Sequence, residues 1–284
     1  MLRKAAIFIA AVGAVLGLAR TPAMAVTSSL EPKEVHWSFE GPFGTFDTEQ
    51  LQRGYKVYHD VCSSCHAMSL LHYYNLGQSG GPFYDEKYPK PIDNPRVKTL
   101  AAEVKVPDID GDTGDVIQRP ATPADAFKAP FPNEPAARAS NGGALPPDLS
   151  IIVKARDGGP AYIYSLLTGY APAHDGLKMP AGKSYNPYFP GDLGSYWSGP
   201  KDAIPKGGFI SMPFQLTPNR VTFDDGKPAT TSEEAWDVVA FLTWASEPHQ
   251  VERKQMGFSV MIYLLILAGV VYASYRRIWR KVDH

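Results

Sequence analysis

The only two cysteines of the chain stand three positions apart and are followed at once by a histidine, Cys62-Ser63-Ser64-Cys65-His66. Cys-x-x-Cys-His is the attachment signature of a c-type haem. Each thiol can form a thioether with one haem vinyl group, and the tether holds the histidine ring beneath the iron as proximal axial ligand. A chain with this motif has to wrap a large, flat, apolar group. A bare Cys-x-x-Cys also serves as half a zinc site or as a redox dithiol. Zinc needs four ligands, and no second Cys-x-x-Cys or His-x-x-x-His is present. A thioredoxin-like dithiol belongs in a βαβ setting, whereas the flanks here are helical and Tyr-rich. The motif therefore predicts one covalent haem c per chain.

Both ends of the chain speak to location. Arg3 and Lys4 precede an almost wholly apolar run from Ala5 to Ala19, and Ala23-Met24-Ala25 has the small-x-small form of a cleavage site. Residues 1–25 are expected to be a cleaved secretory signal, so that the mature chain starts at Val26; the apolar run is short for a membrane span. Met256 to Tyr275 is a second apolar stretch, without a charge and without a polar face. At about 1.5 Å per residue it covers a hydrocarbon core of roughly 30 Å. Arg276, Arg277, Arg280 and Lys281 follow it, against Arg253 and Lys254 before it. The positive-inside rule then places residues 26–251 in the periplasm of a bacterial inner membrane and the tail in the cytoplasm, with residues 252–284 as the anchor segment.

The formal net charge of −1 conceals an asymmetry. With the two basic ends removed, residues 26–251 carry about −8, histidines taken as neutral. This argues against nucleic acid as a partner and suits either simple solubility or electrostatic steering of a basic protein.

Residues 26–251 suffice for one domain, mainly α-helical with long irregular loops. Asp47-x-x-Gln50 can act as a capping box for a helix that runs to the haem motif, with Leu51, Gly54, Tyr55 and Tyr58 on one face. Gly54 would let a second helix approach closely. The partner helix is expected over Ser232 to Glu247. Thr231-x-x-Glu234 is its start signal, Pro248 its stop, and Trp236, Val239, Ala240 and Trp244 its apolar stripe. A shorter helix is expected from Gly159 to Gly169 and another from Pro95 to Val104. Residues 77–95, 107–147 and 171–218 read as loop, long enough to suggest a functional role. Asp108-Ile109-Asp110-Gly111-Asp112 resembles a calcium loop only superficially. Its sixth position is Thr113 and its twelfth Arg119, so it reads as solvated acidic loop.

The sixth iron ligand is narrowed by elimination. Met1 and Met24 belong to the signal, Met256 and Met261 to the apolar stretch, and Met68 lies too close to His66 to reach the opposite haem face. His59 is on the same helix as the motif, and His249 sits at the membrane approach. Met179 and Met212 remain, beside His36, His72 and His174. A thioether in place of a second imidazole raises the reduction potential. Met212, in Phe209-Ile210-Ser211-Met212-Pro213, lies just before the last soluble helix, the order expected of a class I cytochrome c. Chain order ranks it ahead of Met179 and leaves both open.

The flanking sequence closely resembles the cytochrome c1 family, the haem-bearing subunits of cytochrome bc1 complexes. Besides the haem motif, the resemblance rests on Arg53-Gly54-Tyr55-x-Val57-Tyr58, Asn133-x-Pro135-Ala136-Ala137-Arg138-Ala139, and the run from Asn141 to Ser150. Tyr162-x-x-Ser165-Leu166-Leu167-Thr168-Gly169-Tyr170, Asn186-Pro187-Tyr188-Phe189-Pro190, Phe223-Asp224-Asp225-Gly226 and Trp244-Ala245-x-x-Glu247-Pro248 extend it. The resemblance implies that Met212 is the axial methionine, that Arg156 contacts a haem propionate, as guanidinium–carboxylate chemistry favours, and that Tyr162 lines the same side. Many bacterial relatives carry a further disulfide beyond the Thr168-Gly169-Tyr170 match. With no cysteine left here, the Met212 loop must be held by other contacts.

The role the family implies is a one-electron relay without bond-making chemistry of its own. Its haem would accept an electron from a Rieske iron–sulfur protein and pass it to a cytochrome c acceptor, with cytochrome b as membrane neighbour. Two alternatives belong to other classes. One is a stand-alone membrane-tethered cytochrome c serving another periplasmic oxidoreductase, and the other is a haem enzyme such as a peroxidase, which needs an open iron position.

Overall fold

The helix expected to run into the cysteine motif, α1, spans Thr48–Asp60 in a computed structural model that describes residues 29–280. The expected signal segment and Lys281 lie outside the described residues. Five further helices follow among those residues: α2 (Pro95–Ala102), α3 (Glu134–Ser140), α4 (Gly159–Leu167), α5 (Thr231–Ser246) and α6 (Gln250–Trp279). Two small antiparallel pairs complete the architecture, β1 (Lys105–Ile109) with β2 (Val116–Pro120), and β3 (Ser184–Asn186) with β4 (Gly208–Ile210).

Local chemistry explains where α1 starts. The Asp47 side chain accepts a 2.8 Å hydrogen bond from Gln50 N, satisfying a first-turn donor that has no intrahelical partner. Leu51, Gly54, Tyr55 and Tyr58 are all buried, as their spacing requires. Gly54 is where α1 meets α5: a Cβ there would stand 2.1 Å from the Asp237 carbonyl oxygen and 2.7 Å from Phe241 Cβ. The two helices thus touch backbone to backbone. Around the crossing, Tyr55 meets the Phe241 ring edge-on at 5.7 Å, and Tyr58 stacks on Phe127 at 5.9 Å.

The partner helix differs from its expected form in two ways. Its N-cap is Thr230, whose hydroxyl accepts from Glu233 N at 3.2 Å, while the Thr231 hydroxyl donates to Leu216 O at 2.7 Å. Glu234 is fully buried and accepts from Val221 N, so it ties a loop to the helix rather than closing a capping box. From Glu234 to Ala245 only Trp236 is not fully buried; α5 is a core helix on every face rather than one with a single stripe. Full burial of side chains such as Phe241 and Trp244 contributes about 1.5–3 kcal/mol each. Asp237 is buried too, held by Arg53 Nε at 2.8 Å, while Arg53 Nη1 reaches Asp225 at 2.8 Å. Burial pushes the Asp237 carboxyl above its ordinary range, and Arg53 pulls it partly back.

Residues 107–147 are not all loop. They hold most of the β1–β2 hairpin and the whole of α3. Only Val106 of the ten strand residues is buried, so the alternation that marks a half-buried strand is missing from the sequence. The hairpin is fastened instead by Arg119, which bonds Asp108 at 2.5 Å and Asp125 at 2.7 Å. Residues 171–218 likewise contain β3 and β4, over a small separate cluster of Leu177, Tyr185 and Leu193. The helices at 95 and 159 end two residues earlier than expected, at Ala102 and Leu167. The last helix, α6, has thirty residues, none of them buried, and is long and apolar enough to cross a membrane.

Candidate haem site

The cysteine motif is a tight turn growing from the C-terminus of α1. Cys62–Ser64 forms a single 3-10 turn, and the amides of Cys65 and His66 both donate to Cys62 O, at 3.1 and 2.9 Å. Ser63 Oγ closes onto His59 O at 2.6 Å and Ser64 Oγ onto Val61 O at 2.8 Å. Cys62 and Cys65 are both free, half-buried thiols. Burial, with a smaller contribution from Cys65, pushes the Cys62 thiol up to about 12. A thiol shifted this way is protonated at neutral pH, unlike the thiolate of a reactive dithiol.

His66 Nδ1 lies 2.7 Å from the carbonyl oxygen of Pro147. A carbonyl can only accept, so Nδ1 carries the proton and the lone pair sits on Nε2. The second nitrogen's partner thereby fixes both tautomer and ring direction, as is usual for metal-bound imidazole. Burial lowers the His66 pKa, against smaller opposing effects of the Pro147 bond and Asp148, and so favours the neutral ring.

The Pro147 carbonyl is itself held. Asp148 accepts from Ser69 N at 2.9 Å, Ser69 Oγ at 2.7 Å and Ser150 N at 2.8 Å. Leu149 N donates to Ala67 O at 2.8 Å, and Leu70 N to Ser150 Oγ at 3.1 Å. Residues 147–150 thus form a strap stitched along residues 66–70. Burial alone would raise the Asp148 pKa, but its hydrogen bonds from Ser150 and Ser69 together bring it below the ordinary range. The strap carries little signal in the sequence. Its only local signal is Pro146-Pro147, which favours extended backbone, followed by an aspartate two residues before a serine, the pattern of an Asx turn.

The other expected residues gather around α4. Arg156, exposed, precedes the helix and donates to Ala155 O at 2.9 Å. Tyr162 stands in its first turns, half-buried. Burial raises its pKa and the Arg156 charge counters, which makes the two electrostatic neighbours. Beyond the end of α4, the Tyr170 hydroxyl donates to the Met212 carbonyl at 2.9 Å, and its ring lies 5.3 Å from Phe214. On the other side of Met212, Lys183 Nζ bonds Ser211 Oγ, and Ser184 pairs with Ile210 across β3–β4. These are contacts that can hold a methionine loop lacking a disulfide.

The other methionines and histidines have surroundings of their own, and His36 is exposed. Met68 is fully buried in the core, and Met179 is half exposed. His59 pairs with Asp60, His249 with Glu252, His72 stacks on Tyr74 and His174 lies edge-on to Tyr185. No group of three or more His, Cys, Asp or Glu able to hold a bare metal ion occurs among the described residues. Two free thiols, an imidazole with its Nε2 lone pair free and a thioether on a fastened loop form a donor set that fits haem c.

The family model described as the Cytochrome C1 family matches residues 37–282. The chain belongs to the cytochrome c1 family. It is 41% identical to the cytochrome c1 of Rhodospirillum rubrum, with 87% of this chain and 87% of that protein aligned. It is 40% identical to the cytochrome b/c1 of Bradyrhizobium diazoefficiens over 96% of this chain, which spans only 39% of that longer protein. The mitochondrial cytochrome c1 haem protein of Saccharomyces cerevisiae is 43% identical over 80% of this chain and 65% of its own. Cytochrome c1 membership makes this an electron-transport haem protein of the respiratory chain, and the long apolar α6 fits a transmembrane helix.

Proposed function

We propose that this cytochrome c1 is the one-electron carrier of a quinol–cytochrome c reductase. It takes an electron from a Rieske iron–sulfur protein and passes it to a soluble or membrane-bound cytochrome c, beside cytochrome b in the membrane. The haem, one per chain, supplies an Fe(III)/Fe(II) couple when bound. Cys62 and Cys65 would tether it, and His66 Nε2 and Met212 Sδ would ligate its iron. Arg156 pairs with a propionate and Tyr162 lines the same side, in a domain of class I cytochrome c type. After removal of residues 1–25, the haem domain stands in the periplasm and the C-terminus in the cytoplasm.

The observation that carries this reading is the His66 Nδ1–Pro147 carbonyl bond. It leaves one nitrogen, with its lone pair, to face a metal. Thioether ligation by Met212 would favour the reduced state relative to a second imidazole. Met212→Leu should lower the potential sharply and abolish the weak long-wavelength band of methionine-ligated ferric haem, whereas Met179→Leu should leave both in place. The reverse pattern would make Met179 the ligand. Copurification from solubilised membranes with a b-type haem protein and an iron–sulfur protein would test the complex; a chain recovered without either would favour a stand-alone tethered cytochrome.

A further inference from the structure

Ahead of α1 the chain makes a tight excursion whose root is buried and whose tip is not. Trp37 stacks on Trp236 at 4.4 Å, and Phe39 meets Phe46 at 4.9 Å. Thr45 N closes the excursion onto Ser38 O at 3.0 Å. The tip is Gly41-Pro42-Phe43-Gly44, without a charge. Gly41 has φ +70°, and a Cβ on Gly44 would stand 1.9 Å from Glu40 O, so both glycines are needed for the turn. Phe43 at its apex is 74% exposed.

A single exposed apolar side chain is ordinary on a protein surface. This one is distinguished by its neighbour. Its ring lies 5.6 Å from that of Phe258, edge-on, and Phe258 is two residues into the apolar run of α6 that starts at Met256. That is about 3 Å along the helix axis. Lys254 fixes the level: its Nζ donates to Phe39 O at 2.6 Å and Gly44 O at 3.3 Å, one turn before Phe258. The tip is thus clamped where α6 passes from charged to apolar sequence.

We infer that the 41–44 tip is a second membrane contact, with Phe43 inserted at the boundary between headgroups and acyl chains beside α6. This rests on α6 being the membrane anchor. A membrane helix alone gives the haem domain one point of attachment to the bilayer. A second apolar point on a rigid root fixes its tilt, as interfacial aromatic side chains do for membrane helices.

The test uses the full-length holoprotein in phosphatidylcholine–phosphatidylglycerol vesicles. A nitroxide is placed on Phe43→Cys, with Leu265→Cys in the apolar helix and Ile117→Cys on the exposed hairpin as references. Cys62 and Cys65 are consumed as thioethers, so each variant offers one thiol. The ratio of collision with oxygen to collision with a water-soluble nickel chelate should be several-fold higher at 43 than at 117, approaching that at 265. A water-like ratio at 265 would overturn the anchor reading and this inference with it. A lipid-like 265 with a water-like 43 would overturn this inference alone, as would a position 43 shielded from both reagents, which signals a protein covering the tip.

Discussion

The Tyr170 hydroxyl and the main-chain carbonyl of Met212 are joined by a 2.9 Å hydrogen bond between residues 42 positions apart. Burial raises the Tyr170 pKa, so the hydroxyl stays a donor throughout the physiological range. It is a side chain that grips the backbone of the proposed ligand itself, on a loop that no disulfide can brace.

Tyr170→Phe removes that grip and little else. We expect a loss of about 1 kcal/mol in stability and a lower reduction potential in a redox titration, because a looser loop weakens thioether ligation. Tyr185→Phe is the matched control. Its hydroxyl donates to Lys206 O at 2.6 Å, and its loss should cost comparable stability while leaving the potential in place.

Gly54→Ala forces a methyl group against the Asp237 carbonyl and Phe241 Cβ. Backbone cannot yield as a flexible side chain does, so α1 and α5 must separate. The expected cost is about 3 kcal/mol or more, as for severe overpacking, measured as a lowered midpoint in guanidinium unfolding.

Asp148→Ala strips the strap of its shared acceptor, and water takes its place at the exposed Ser69. A loss of about 0.5–1.5 kcal/mol is expected. Asp148→Asn, which keeps one acceptor oxygen, should recover part of it in the same unfolding measurement.

The β1–β2 hairpin should loosen in acid. The Arg119 hydrogen bond holds both Asp125 and Asp108 below the ordinary carboxylate range. A depressed folded-state pKa means that the contribution is complete above the unfolded value, about 3.9, and is lost as pH falls below it. Amide exchange over residues 105–120 should lose protection below about pH 4. Arg119→Gln should show the loosened hairpin already at neutral pH, with a flatter pH dependence.

Much of the frame was legible in the sequence because single residues announce it. Asp47 starts α1, Gly54 marks the helix crossing, and an uncharged stretch from Met256 marks α6. What escaped was held by polar contacts between distant segments. The hairpin depends on Arg119 meeting Asp125 rather than on alternating apolar residues. Glu234 reads as part of a helix start signal and Asp237 as an ordinary charged residue, yet Arg53 and the amide of Val221 allow both to be buried. Within the site, the haem motif declares its own chemistry, whereas the carbonyl that aims His66 belongs to a residue with no polar side chain.

The strap also sets an order of events. Pro147 follows His66 by 81 positions, so a growing chain presents both thiols and the imidazole well before the group that steers the ring exists. A fragment ending before residue 147 would keep both thiols and the imidazole but lack the carbonyl that fixes the His66 tautomer. The group that would aim the ring is thus remote in sequence from the motif that would tether the cofactor.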